Sequence, residues 1–163
     1  IARAAVRLNH NKIKNATKNF SMELAPELPP IRGNRQRLEQ VLINLIQNSC
    51  EALTSQDAAI SLTSRHDAES DEVEVSVHDQ GSGIAPEIIN QITDPFFTTK
   101  RSYGGTGLGL SVSAGIIKEH QGRLRFASSP EAGTSATISF PAWREEAEAP
   151  AQARQEEKTV PAG

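Results

Sequence analysis

In "QVLINLIQNSCEAL" (residues 40–53), Asn44, Asn48 and Glu51 interrupt a stretch whose Val41, Leu42, Leu45, Ile46 and Leu53 recur as on a buried helix. Spaced i, i+4, i+7, the three polar residues share one helical face. Amides on such a helix are costly unless their polar atoms find partners. Their oxygens are hard donors suited to Mg²⁺, which keeps several waters and takes further oxygens from nucleotide phosphates. For two asparagines taken alone, a solvated or capped polar stripe is the simpler account.

Two glycine clusters follow. "HDQGSGIAP" (78–86) ends a strand on Asp79 and continues with Gly81 and Gly83. Such glycines let the backbone turn sharply and approach a flat ligand. The carboxylate beside them could accept a hydrogen bond from an exocyclic amine. A plain turn capped by Asp79 explains the same residues. "GGTGLGLSV" (104–112) leads Gly104, Gly105, Gly107 and Gly109 into a helix start, where successive N–H groups form an anion site. It fits neither familiar phosphate motif. A P-loop needs a Gly-Lys pair, absent from this chain, and a dinucleotide fingerprint needs glycine where Leu110 or Val112 stands. A hinge without a ligand is the other reading of this cluster.

These residues need elements to hold them. Residues 1–15 read as helical on Ala5, Leu8 and Ile13. A short strand near 17–24 precedes Pro26, Pro29 and Pro30, and a second short strand is expected around Ile31. Asn34 is placed to cap the long helix 35–54 that carries the amides. Period-two alternation predicts paired strands at 58–66 and 72–79. Pro86 suits the first turn of a short helix ending near Ile92. "TDPFFTTKRSYGGTGLGL" reads as a mobile loop, and "LSVSAGIIKEHQG" as a helix stopped by Gly122. "RLRFASS" and "GTSATISFP" then form a closing hairpin. The order implies an α+β fold, a two-layer sandwich of a mixed β-sheet with helices packed on one face. After Trp143 the composition shifts to Glu, Ala, Gln and Pro without apolar periodicity. Residues 144–163 therefore read as a disordered tail or linker, and 1–143 as one domain.

Composition narrows the classes. A chain of 163 residues has room for one well-buried core. A net charge of -3 offers no broad basic surface, so no nucleic acid is expected as a partner. Cys50, the single cysteine, excludes an internal disulfide and suits a reducing compartment. No apolar run approaches the roughly 20 residues of a membrane span, and the opening residues are not a signal peptide. A chain that opens without Met, already helical, implies a piece of something longer.

Taken in order, N-x-x-x-N, D-x-G-x-G, D-P-F-F-T-T-K, G-T-G-L-G-L and G-T-S-A-T span roughly Arg35 to Pro141. Together they resemble the ATP-binding catalytic domain of two-component sensor histidine kinases. That domain lies within the gyrase, Hsp90, histidine kinase and MutL superfamily. The lid wording is most similar to the nitrogen-regulation and dicarboxylate-sensing branch. The resemblance implies a left-handed Bergerat-type nucleotide fold with ATP and Mg²⁺ as cofactors. Asn48 would be the direct Mg²⁺ ligand, with Asn44 a turn earlier near the phosphates. Asp79 would bind the adenine amino group, Thr134 would assist through water, and Gly81, Gly83 and Ile84 would shape that pocket. Phe96 and Phe97 match the aromatic box that anchors the lid, with core filling as the alternative for each. Gly105, Gly107 and Gly109 would cradle the phosphates, and Phe97, Thr98, Thr106, Leu108 and Leu110 would also bind the nucleotide. Lys100 would reach the triphosphate as a point charge, with Arg101 competing for the role.

One position separates chemistries. Hydrolysing relatives resemble E-x-x-x-N, whose glutamate activates water, whereas an amide at Asn44 cannot take up a proton. Glu51 lies the wrong way along the helix to substitute, and reads as a surface charge or the partner of a lid cation. Ser49 stands where many relatives have Ala. None of His10, His66, His78 and His120 lies in a phospho-acceptor box, so the acceptor histidine is expected upstream. The implied partners are a histidine-bearing dimerisation domain of the same protein and a response-regulator receiver domain, with a homodimer only for the full-length protein. Residues 1–15 would then belong to this domain or link it to the dimerisation domain. A bacterial cytoplasmic location is implied, with or without a membrane anchor on the parent protein. A nucleotide-binding module without phosphotransfer and an anti-sigma-type serine kinase are the competing readings.

Overall fold

A computed structural model describes residues 1–99 and 106–145. Helices α1 (Ala2–Leu8) and α2 (His10–Ala16) precede strand β1 (Asn19–Leu24), and helix α3 (Arg35–Ala52) follows it. The hairpin β2 (Ala59–Asp67) and β3 (Glu72–Asp79) comes next, then α4 (Gly109–Glu119) and the closing hairpin β4 (Arg123–Ser129) and β5 (Gly133–Pro141). The five strands form one sheet ordered β1-β2-β3-β5-β4. β1 runs parallel to β2 and every other pair is antiparallel, so the sheet is mixed as expected. Among the described residues, no helix is long and apolar enough to cross a membrane.

Alternation decides the inner face. Ile60 and Leu62 of β2, Val77 of β3, and Ala136, Ile138 and Phe140 of β5 point inward. They meet Leu38, Val41, Leu42, Leu45 and Ile46 of α3 and Ile116 and Ile117 of α4. The cluster is almost wholly aliphatic. On the opposite face Glu74, whose side chain is 6% exposed, lies between the guanidinium groups of Arg65 (2.5 Å) and Arg125 (2.6 Å). Glu72 pairs with Arg123 at 2.5 Å beside it.

Asn34 caps α3 as expected, its Oδ1 accepting from Arg37 N–H at 3.0 Å. α4 is tied to that same end. His120 Nε2 accepts from Asn34 N–H at 2.9 Å, which puts the ring proton on Nδ1, donated to Ile116 O at 2.7 Å. Arg37 and Glu119 form an ion pair alongside, and the Arg37 hydrogen bond holds the Glu119 carboxyl below its ordinary value.

Four local expectations are corrected. The N-terminal helix breaks at Asn9 (φ -96°, ψ 7°), whose Nδ2 donates to Ala5 O at 2.9 Å. After the break Ile13 is buried, whereas Leu8, just before it, faces solvent. No strand forms around Ile31, because Pro29 and Pro30 offer no donors to a ladder. Pro86 starts no helix. The bonds Ile88→Ala85, Gln91→Ile88 and Asp94→Gln91 fall three residues apart, which makes separate tight turns. A short segment rich in β-branched residues is too weak to nucleate a helix. α4 does stop near Gly122, yet the left-handed residue is Gln121 (φ 59°). Gly122 instead donates to Ile117 O at 2.9 Å, and a Cβ there would sit 2.6 Å from the Phe140 ring.

Beyond β5 the backbone continues in contact. Ala142 N–H donates to Asp71 O at 2.9 Å and Trp143 N–H to Pro30 O at 2.7 Å. Arg144 binds both carboxylate oxygens of Asp71, which also takes His66 Nε2 at 2.9 Å. Residues 146–163, most of the expected tail, lie outside the described residues.

Candidate functional site

α3 presents Asn44, Asn48 and Glu51 to a cavity of about 440 Å³, closed below by Asp79 and Thr134 at the facing ends of β3 and β5. Ile88, Ile92, Phe97 and Phe126 give it an apolar side, and Thr106, Gly107, Gly109 and Leu110 a glycine-rich one. Size and lining suit a small ligand with one flat apolar part and one charged part.

At the β3 end the polar groups are tied together. Asp79 is 2% exposed, and its Oδ1 accepts from Gly81 N–H at 2.9 Å. Register sets Asp79 opposite Thr134, and Thr134 opposite Ser128. Ser128 Oγ donates to Gly133 O at 2.9 Å, leaving it to accept from Ile84 N–H at 2.8 Å and Thr134 Oγ1 at 2.9 Å. This serine joins the loop after β3 to the closing hairpin. Gly83 (φ 69°) runs so close to the hairpin that a Cβ would overlap the Ser129 carbonyl. Gly81 lies outside the cavity lining. A Cβ on it would come 2.6 Å from Ala52 O, so its smallness lets Ser82 N–H bond that same oxygen at 3.0 Å.

The α3 end differs. Asn48 is half-buried, lines the cavity and its side chain makes no hydrogen bond among the described residues. Asn44 lines it too, but its Nδ2 donates to Ser113 Oγ at 3.0 Å. Glu51 is paired with Lys12 of α2 at 3.9 Å. Burial pushes the neighbouring Cys50 thiol up; Lys12 opposes the shift, while Glu51 and Asp79 add to it. That keeps Cys50 protonated and a poor nucleophile.

Of the remaining expected residues, Ile84, Phe97, Thr98, Thr106, Gly107, Gly109 and Leu110 line the cavity, whereas Leu108 does not. Phe96, 65% exposed with φ 66°, turns away from the core, and its N–H donates to Gly107 O at 2.9 Å. Lys100 and Gly105, with Arg101 and Gly104, lie outside the described residues. Ser128 went unnoticed in the sequence; its register opposite Thr134 is a signal that only strand pairing reveals.

A family model described as histidine kinase-, DNA gyrase B- and HSP90-like ATPase matches residues 33–144. The chain belongs to that ATPase family. Within it, this domain is 43% identical over 111 residues to sporulation kinase A of Bacillus subtilis, covering 68% of this chain and 18% of that protein. It is 40% identical over 126 residues to the signal transduction histidine-protein kinase AtoS of Escherichia coli, covering 77% and 20%. The catalytic domain of histidine kinase ThkA superposes with a TM-score of 0.74 at 34% identity, covering 86% of this chain and 90% of that one. The chain thus spans about a fifth of the curated relatives, and its kinship is with the ATP-binding catalytic domains of sensor histidine kinases.

Proposed function

We propose that this domain binds Mg·ATP and transfers the γ-phosphoryl group to a histidine on a dimerisation domain of the same protein, from which it passes to a response-regulator receiver aspartate. One observation supports the reading above the rest. A buried carboxylate, Asp79, and an amide with no side-chain hydrogen bond among the described residues, Asn48, face one cavity from its two ends. In this reading Asp79 accepts from the adenine amino group, with Thr134 acting through water, and Ile84 and Phe97 flank the ring. Asn48 Oδ1 is a hard donor of the kind Mg²⁺ takes. Among the described residues no three His, Cys, Asp or Glu side chains converge; in this reading the other ligands are phosphate oxygens and water. When bound, Mg²⁺ supplies neutralisation of the phosphate charge. Thr98, Thr106, Gly107, Gly109 and Leu110 border the phosphates, with Gly105, Leu108 and Lys100 assigned there by family resemblance.

The residues of this chain would chiefly position and neutralise. The acceptor imidazole forms an N–P bond to the γ-phosphorus as the bond to the ADP oxygen breaks. A neutral imidazole attacks with the lone pair of its unprotonated nitrogen, and the proton on its other nitrogen then leaves to water; Asn44 cannot act as a base toward water. The bacterial cytoplasm, where ATP and receiver domains meet, would be the compartment.

Mixing this chain with Mg·ATP and the parent protein's dimerisation domain should yield acid-labile, base-stable phosphate on the latter. ATP binding without transfer would favour a regulatory module, and phosphate release without any acceptor would favour a hydrolase.

A further inference from the structure

Asn44 holds the N-terminal half of α4, by a contact at Gly109 and a bond to Ser113, the fifth residue of the helix. Its Nδ2 donates to Ser113 Oγ at 3.0 Å, and Ser113 is only 2% exposed. A Cβ on Gly109, the residue that opens α4, would sit 2.5 Å from Asn44 Oδ1 and 3.1 Å from its Cγ. The amide therefore occupies the space a side chain at 109 would need. α4's far end is pinned separately, through His120 to Asn34 and Glu119 to Arg37. Of the two fastenings, only the Asn44 one borders the cavity. The glycine segment enters α4 through Gly107 (φ 69°), two residues before Gly109. Wherever Asn44 sets the first turn, the N–H groups at the start of α4 are aimed accordingly.

We infer that Ser113 is a positioning residue for nucleotide binding: by accepting the Asn44 amide proton it locks the start of α4, and so the anion-facing end of the glycine segment, onto the helix that bears Asn48. The inference rests on the Mg·ATP reading above. It gives Asn44 a mechanical task besides the loss of a general base: its amide donates to the Ser113 hydroxyl. A helix-packing serine with no such task would affect stability alone.

Calorimetry of Mg·ATP binding to this chain tests it, together with hydrogen exchange at the Val112 amide, which bonds Leu108 O at 2.9 Å. Ser113→Ala should weaken binding by about three- to tenfold, the worth of one side-chain hydrogen bond, and speed Val112 exchange. Ser113→Thr keeps the hydroxyl and should restore both, while Ser113→Val, of nearly the same shape, should not. Asn44→Ala with Ser113→Ala should bind no more weakly than Asn44→Ala alone. Equal affinity and exchange in the Thr and Val variants would overturn the inference, as would losses that multiply in the double variant. Should the unaltered chain fail to bind Mg·ATP, the nucleotide reading falls, and the exchange comparison in the ligand-free chain still decides whether Ser113 locks the helix.

Discussion

The two ends of the cavity are built on opposite plans. Around Asp79 the polar atoms answer one another: Gly81 N–H goes to the carboxylate, while Ile84 N–H, Thr134 Oγ1 and Gly133 O converge on Ser128. Around α3 the amide of Asn48 has no hydrogen-bond partner among the described residues, and the neighbouring segment crosses at glycines with positive or crowded backbone geometry. A fully satisfied network holds its geometry before any ligand arrives. An unsatisfied amide gains from one. In the proposed reading the first end selects a flat ring and the second responds to charge.

That contrast breaks most visibly at Asp79. In Asp79→Asn the amide oxygen can still take Gly81 N–H, but the other atom becomes a donor facing the adenine amino donor. ATP affinity should fall about ten- to a hundredfold, as for a lost charge-assisted bond, and calorimetry giving less than about threefold would remove Asp79 from the base-reading role. Asn48→Ala should weaken Mg·ATP by about tenfold. Binding in excess chelator should be unchanged, and thermal stability should move within about 0.5 kcal/mol. A stability loss as large as the affinity loss would mean that the amide is a structural strut. Ser128→Ala should do the reverse. Leaving the Ile84 N–H and the Thr134 hydroxyl short of a partner should cost about 1 kcal/mol of stability, or roughly 2–4 °C in Tm. Its affinity loss should not depend on magnesium.

The difference between the ends also explains what was legible beforehand. α3 showed through its apolar repeat and its Asn34 cap, and the amide ridge stood out because it interrupts that repeat. Asp79 and Gly83 could be read because a strand end and a left-handed turn leave local marks. Ser128 and Ser113 could not. Each matters through a partner 44 or 69 residues away, and a serine facing inward looks the same in sequence whether or not an amide awaits it. Gly81 and Gly122 were visible as glycines, but the atoms that require them, Ala52 O and the Phe140 ring, belong to other elements. The expected strand at Ile31 and helix at Pro86 failed where propensity was read without counting donors or continuous bonds.

The smallest expected effect lies away from both ends. Arg144 first, and His66 second, hold the Asp71 carboxyl down at about 2, against an ordinary 3.8. A carboxyl depressed on folding adds stability above its unfolded value, and that addition fades as pH falls from there toward the folded one. The fastening of Arg144 to the β2–β3 turn should therefore persist above about pH 4 and be lost between there and about pH 2. The Asp71 side chain is 45% exposed, so solvent screening keeps the effect small. Tm of the unaltered chain should exceed that of Arg144→Ala by a small margin at neutral pH, with the two curves converging in acid. A gap that stays constant down to pH 2 would mean that Arg144 contributes through packing of its stem. Because the turn lies apart from the cavity lining, Mg·ATP affinity at neutral pH should match between the two chains. A difference there would tie the segment after β5 to the nucleotide ends and undo their division into one fixed and one responsive region.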